Sequence, residues 1–164
     1  MGRYGSPGPV QDTEKVYRIL IAPVDIGMTA EQIAVTAVTH SETIGMSVLR
    51  DRASDLEFRK VIQDRTARDG RVFVAVAELD CGAIRLLKSA NDQPGRRVGD
   101  RHFIVVDTDM EDLPYHADIF NMMPRQDADG KPSNKTVWRR EREKLLQLAN
   151  SNIVKREAFR EGRV

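Results

Sequence analysis

VFVAVA, residues 72–77, is an uninterrupted apolar run of residues that favour β-strands. Because the run does not alternate between apolar and polar residues, it predicts a central strand that is covered on both faces. The other segments that predict strands are residues 16–22, 45–49, 83–87 and 101–106. Cys81 and Gly82 stand between two of these segments and predict a turn.

Helix starts are marked by residues that can cap them. Ser54 with Glu57 forms a capping box and predicts a helix that ends near Gly70. Thr29 with Gln32 gives a similar pattern, although the Val and Thr content of that stretch leaves a strand as the alternative.

Two more helices are predicted in the second half of the chain. Asp112 can cap a short helix that has Pro114 in its first turn. Apolar residues recur at helical spacing over residues 133–150 and predict a long last helix.

These elements predict an α+β fold, with a mainly antiparallel sheet of about four or five strands, helices on one face and a C-terminal helical arm. Glycine and proline dominate the first residues, which have little to bury. The predicted organisation is a disordered tail (1–14), an α+β domain (15–125), a linker (126–132) and a basic C-terminal helical extension (133–164).

Composition restricts the class of protein. The 164 residues are 40% hydrophobic and 31% charged, as in a globular domain with a true core. Cys81 is the single cysteine, which excludes an intrachain disulfide and a cysteine-rich zinc site. No apolar stretch approaches the ~18 residues that a membrane helix needs. We therefore expect a cytoplasmic protein that does not bind membranes.

Charge is distributed unevenly along the chain. Residues 134–164 carry nine Lys or Arg and four Asp or Glu, a balance of +5, although the whole chain has a net charge of only +1. Within this extension, the predicted partner-binding residues are Trp138, Arg139, Arg140 and Arg142. Their expected partner is an acidic protein, a second copy of the chain or the chain's own acidic segment, with nucleic acid as an alternative.

The acidic segment, residues 107–118, gathers five carboxylates and one imidazole without any Lys or Arg. Clustered carboxylates repel one another unless a cation or a proton compensates them. The candidate metal ligands, for Mg²⁺ or Zn²⁺, are Asp107, Asp112, His116 and Asp118. His116 and Asp107 are also candidate catalytic residues for proton transfer. The alternative interpretation is that Asp112 caps a helix and that His116 lies in the core.

Arginines near strand ends could hold a phosphate group through bidentate hydrogen bonds. Arg50, which follows a predicted strand, and Arg101, beside a long polar loop, are the candidate phosphate ligands. The sequence contains neither a Walker motif nor a dinucleotide-binding fingerprint.

Two functions remain open at this point. The first is an interaction or structural protein whose basic C-terminal arm docks a partner. The alternative is a small enzyme that acts on a phosphate-containing substrate, a nucleotide or RNA, through a His/Asp site with a divalent metal as a candidate cofactor.

Overall fold

A single antiparallel sheet organises the chain. The computed structural model describes residues 2–124 and 133–163. The strands are β1 (Lys15–Ala22), β2 (Met46–Arg50), β3 (Val72–Asp80), β4 (Phe103–Asp107), β5 (His116–Asn121) and β6 (Ile153–Lys155). The α-helices are α1 (Thr36–Thr39), α2 (Asp55–Thr66), α3 (Cys81–Leu86), α4 (Lys135–Asn150) and α5 (Arg156–Arg163). A short 3-10 helix, His40–Glu42, follows α1.

The strand order is β4-β5-β2-β1-β3-β6, and every pairing is antiparallel. The predicted α+β class is confirmed, and the described residues form six strands, slightly more than the predicted four or five. Both faces of the sheet are covered. Residues of α1, α3 and α4 join the larger core, whereas α2 and α5 contribute to a smaller core on the other face.

Strand β3 shows why helices are needed on both faces rather than on the one face predicted. Ala75 and Ala77 belong to the larger core, and Val76 between them belongs to the smaller core. All three are fully buried. Successive side chains of a strand point to opposite faces, so an apolar run requires cover on each side.

The capping box at the start of α2 is confirmed. The Ser54 hydroxyl accepts a hydrogen bond from the Glu57 amide at 3.3 Å, and the Glu57 carboxylate accepts one from the Ser54 amide at 2.7 Å. The second Glu57 oxygen accepts from the Tyr115 amide at 3.0 Å. Glu57 therefore also fixes the turn that leads into β5.

Three predicted elements differ in the structure. Residues 83–87 were predicted as a strand, but Cys81–Leu86 forms helix α3, which buries Cys81 and Ile84 in the larger core. The short helix predicted at Asp112 is a turn followed by strand β5, which pairs with β4 and β2. In the segment between Thr29 and β2, where a longer helix was predicted, only the four residues of α1 are α-helical. Each segment is short, and packing against neighbouring elements overrides its local pattern.

Residues 2–14, predicted as a disordered tail, lie against the domain in the structure. Ser6 is fully buried and Val10 is 5% exposed. The Arg50 guanidinium donates to the Gly8 carbonyl at 2.6 Å and to both oxygens of the Glu14 carboxylate at 2.7 and 2.8 Å. Hydrogen bonds to a buried arginine hold this segment in place, although its sequence has little apolar surface to bury.

The predicted C-terminal arm packs into the domain. Helix α4 buries Trp138 and Leu145 in the larger core, β6 pairs with β3, and Phe159 of α5 packs in the smaller core. The predicted linker, 126–132, falls outside the described residues. Within the part of the chain that the structure describes, no helix combines the length and the apolar character that crossing a membrane requires.

Candidate functional site

A cleft of about 760 Å³ opens between the sheet, α2 and the α1 region. Arg18 of β1, Ser47 of β2 and His116 of β5 contribute to its lining from the sheet. Helix α2 contributes Arg65 on the opposite side. The remaining charged residues and histidines of the lining are Asp25, His40, Asp64, Arg68 and Arg71.

Ser47 and His116 meet at this cleft because β2 pairs with β5. The register places Leu49 opposite His116 and Ser47 opposite Asp118. Positions two apart share one face of a sheet, so Ser47, His116 and Asp118 lie on the same face. The Ser47 hydroxyl oxygen lies 2.6 Å from His116 Nε2.

Thr108 connects the other side of the imidazole to Asp118. Its hydroxyl donates to the Asp118 carboxylate at 2.8 Å and lies 2.8 Å from His116 Nδ1. The Thr108 carbonyl oxygen, which can only accept, lies 3.3 Å from the same nitrogen. A threonine hydroxyl has one proton, so Nδ1 must donate and Nε2 is left to accept from Ser47. The relay Ser47–His116–Thr108–Asp118 is therefore oriented to withdraw the proton of Ser47.

Burial keeps His116 neutral. The side chain is 4% exposed, and desolvation lowers its pKa below the ordinary value of 6.5, although the negative charge of Asp118 opposes this shift. A neutral imidazole is the form that accepts a proton. At pH 7 the geometry and the protonation state of His116 both suit a general base.

Arg18 brings a poorly compensated positive charge to the same cleft. Its Nη1 donates to the Ser47 carbonyl at 2.9 Å, and its Nε is buried without a hydrogen-bond partner in the described part of the chain. Among the described residues, the carboxylate paired with Arg18 is that of Asp25, whose Oδ1 lies 4.0 Å from Nη2 of Arg18. The other oxygen of Asp25 accepts from Arg65 at 2.8 Å and from the Ile21 amide at 3.0 Å. Burial, followed by repulsion from Arg65, lowers the pKa of Arg18 to about 10. An anion bound here would relieve that deficit.

The predicted metal ligands do not converge. Asp118 lies near His116, with Oδ2 3.9 Å from Nδ1, but Asp107 pairs opposite Ala117 and so points to the other face of the sheet. The Asp112 side chain is 72% exposed and contacts Lys60 at 3.6 Å. Among the described residues, no group of three or more His, Cys, Asp or Glu is arranged to hold a metal ion.

The second predicted catalytic residue, Asp107, is also placed apart from the cleft. Its carboxylate accepts from Ser6 at 2.6 Å and lies 3.4 Å from Arg50. Arg50 is only 1% exposed and forms an ion pair with Glu14. Burial alone would lower the pKa of Arg50, but the hydrogen bonds and the negative charge of Glu14 raise that pKa above its ordinary value. Arg50 lies beside Asp107, the last residue of β4, whereas Arg101 precedes the first residue of that strand. The structure therefore places the two predicted phosphate ligands near opposite ends of β4.

The predicted partner-binding residues of α4 divide into two groups. Trp138 is 2% exposed and packs against Phe103, so it is part of the core. Arg142 lies over the Trp138 ring at 5.9 Å. Arg139 and Arg140 are exposed. Docking of an acidic partner, nucleic acid or a second copy by these arginines stays a prediction.

A second serine–histidine pair provides a contrast. Ser89 Oγ lies 3.1 Å from His102 Nε2, but both residues are buried, at 3% and 2% exposure, and neither lines the cleft. The two pairs share their chemistry and differ in access, so Ser89 serves as a matched control for Ser47.

Sequence reasoning identified His116 but missed Ser47, Thr108 and Arg18. Ser47 is separated from His116 by 69 positions, and only the pairing of β2 with β5 brings them together. Comparisons of the chain with protein-family models, with curated proteins and with solved structures gave no match.

The two buried histidines predict a loss of stability in acid. Burial lowers the pKa of both His102 and His116, so the unfolded chain binds more protons than the folded chain below pH 6.5. The free energy of unfolding should therefore be highest above that pH, where both histidines are neutral in the folded and the unfolded chain. It should fall as the pH decreases, by at most about 1.4 kcal/mol per pH unit for each histidine. Urea unfolding of the wild type and of His116→Gln between pH 8 and pH 5 measures this. The variant should show a shallower slope, and an identical slope would contradict the assignment.

Proposed function

We propose that this protein is a small hydrolase of phosphate monoesters, with Ser47 as the nucleophile, His116 as the general base and Arg18 as the phosphate-binding residue. The observation that carries the proposal is the 2.6 Å contact between Ser47 and His116 in a cleft that also contains the incompletely paired Arg18. Proton acceptor, hydroxyl and cation are the three groups that such a reaction requires.

The reaction proceeds in two steps. In the first step His116 Nε2 removes the proton of Ser47 while the Ser47 oxygen attacks phosphorus. The bond from phosphorus to the ester oxygen of the substrate breaks. The leaving alcohol takes the proton from His116, which leaves a phosphoserine. In the second step His116 removes a proton from a water molecule while the water oxygen attacks phosphorus, and the bond between phosphorus and the Ser47 oxygen breaks. Inorganic phosphate leaves, and the Ser47 oxygen takes the proton back from His116.

Charge in the cleft supports a phosphate rather than a neutral ester. Arg18, Arg65, Arg68 and Arg71 contribute four positive charges to the lining, against two negative charges from Asp25 and Asp64. Guanidinium groups match the oxygens of a phosphate and stabilise the charge that spreads over them in the transition state. Arg18 is buried and fixed by the Ser47 carbonyl, so it needs little reorganisation to act.

The relay explains how the base stays oriented. Thr108 and Asp118 hold the Nδ1 proton of His116 away from the cleft, which leaves Nε2 free to accept. Thr108 and Asp118 are positioning residues in this scheme, because they act through His116.

Covalent labelling tests the proposal without knowledge of the natural substrate. A phosphonofluoridate probe should react with Ser47, with loss of fluoride and a mass increase of one phosphonyl group, because the relay makes this hydroxyl nucleophilic. Intact mass and peptide mapping read out the site. His116→Gln should suppress the label, whereas Ser89→Ala should leave it unchanged. Absence of a label on Ser47 in the folded wild type would overturn the role of Ser47 as the nucleophile.

A further inference from the structure

A second cavity, of about 310 Å³, lies beside the cleft. We call it the side cavity. Part of its lining is apolar and comes from Ile62, Val72 and Phe73. Val72 is 38% exposed, so apolar surface is available to a ligand there. Such a surface suits a flat, largely apolar group.

Three arginines complete the lining of the side cavity. They are Arg59 of α2, Arg71 before β3 and Arg156 at the start of α5. Within the described residues, none of the three forms an ion pair with a carboxylate, and no acidic residue lines the side cavity. The Arg156 guanidinium lies 6.0 Å from the centre of the Phe73 ring. An aromatic ligand could stack on such a guanidinium plane.

Arg71 joins the side cavity to the cleft, because it lines both. Arg65 and Thr66, which are adjacent in α2, make the same link, since Arg65 lines the cleft and Thr66 lines the side cavity. A ligand with an anionic end in the cleft could therefore extend past Arg71 into the side cavity.

From this arrangement we infer that the substrate is a nucleotide, with its phosphate in the cleft and its base in the side cavity. The inference deepens the proposed function and rests on the cleft holding the phosphate. The aromatic base fits the apolar lining beside Arg156, and the phosphate fits the arginines of the cleft. The nucleoside is then the leaving alcohol of the hydrolysis. The nucleotide unit could be free or could be the end of a single strand.

Binding measurements on the full-length Ser47→Ala protein test the inference without interference from turnover. Isothermal titration compares adenosine 5′-monophosphate with ribose 5-phosphate, which differ only by the base. The nucleotide should bind at least about tenfold more tightly, because stacking of a base on protein side chains contributes at that level. Equal affinity for the two ligands would overturn the inference.

Variants of the side cavity locate the effect. Arg156→Ala and Val72→Glu should each weaken binding of the nucleotide by about tenfold and leave binding of ribose 5-phosphate unchanged. Arg97→Ala, which removes an exposed arginine from the loop before β4 that lines neither the cleft nor the side cavity, is the matched control and should change neither affinity. Unchanged nucleotide binding in both cavity variants would show that the base lies elsewhere and would also overturn the inference.

Further ligands separate the two proposals and the two sources of the nucleotide. If the nucleotide binds tightly but Ser47 of the wild type is not labelled, the proposed hydrolase is contradicted and the nucleotide site is supported. If Ser47 is labelled but the nucleotide and ribose 5-phosphate bind equally, the hydrolase is supported and the nucleotide substrate is contradicted. A ten-residue single-stranded oligonucleotide with a terminal phosphate that binds more tightly than the mononucleotide supports the site with a strand as the source. Equal affinities support it with the free nucleotide.

Discussion

Replacing Ser47 with alanine should lower kcat/KM for p-nitrophenyl phosphate by about 10³-fold or more, because the nucleophile of the first step is lost. His116→Gln should cause a loss of similar size, since glutamine cannot take the proton of Ser47. The double variant should be no less active than either single variant, because residues that act as one unit lose their contribution together. The release of p-nitrophenol measures the rate of hydrolysis.

Ser89→Ala is the matched control for this experiment, since Ser89 also contacts a histidine but is buried away from the cleft. It should retain wild-type activity. Near wild-type hydrolysis by Ser47→Ala or His116→Gln would contradict the mechanism. Melting temperatures of all variants show whether an activity loss reflects unfolding.

Thr108 gives a subtler version of the same test. Thr108→Ser keeps the hydroxyl that connects His116 to Asp118 and should remain active. Thr108→Val removes it and should lower kcat/KM by on the order of tenfold, with a change in the acidic limb of the pH–rate profile. A purely structural role would affect stability without moving that limb.

Much of the fold could be predicted because its signals are local. The capping box of Ser54 and Glu57 lies within four residues, and the apolar run 72–77 carries its own evidence for a strand covered on both faces. Strand β5 could not be recognised in this way. Its residues His116, Ala117, Ile119 and Asn121 are buried because β4 and β2 flank the strand, which is a property of the sheet rather than of the segment.

The site was harder to predict than the fold, because its chemistry depends on distant partners. The acidic segment drew attention to carboxylates, yet Asp112 is on the surface and Asp107 binds the N-terminal residues. Arg18 stood inside a predicted apolar strand, where a charged residue signals either a pair or a function. Arg18 could therefore have been recognised from the sequence as a candidate site residue, because it is the charged residue in an otherwise apolar predicted strand.

A buried polar network fixes the long loop before β4 onto α4. Glu141, which is 2% exposed, accepts from Arg96 at 2.7 and 2.9 Å and from the side-chain Nδ2 of Asn121 at 2.6 Å. His102 Nε2 lies 3.6 Å from the same carboxylate. These partners compensate the Glu141 charge, so the charges of this network can lie in the interior.

Glu141→Gln should destabilise the protein by about 3–5 kcal/mol, because it leaves the Arg96 guanidinium buried without a counter-charge. Arg96→Met should have a comparable effect through the orphaned carboxylate. The double variant, Arg96→Met with Glu141→Gln, should be less destabilised than the sum of the two, since it removes both charges and creates no isolated one.

Lys60→Gln is the matched control, because Lys60 forms exposed ion pairs with Asp64 and Asp112, which contribute at most about 1 kcal/mol. Urea unfolding of these four variants and of the wild type measures these differences. Additive losses in the double variant would show that the two charges are stabilised independently, by groups other than each other.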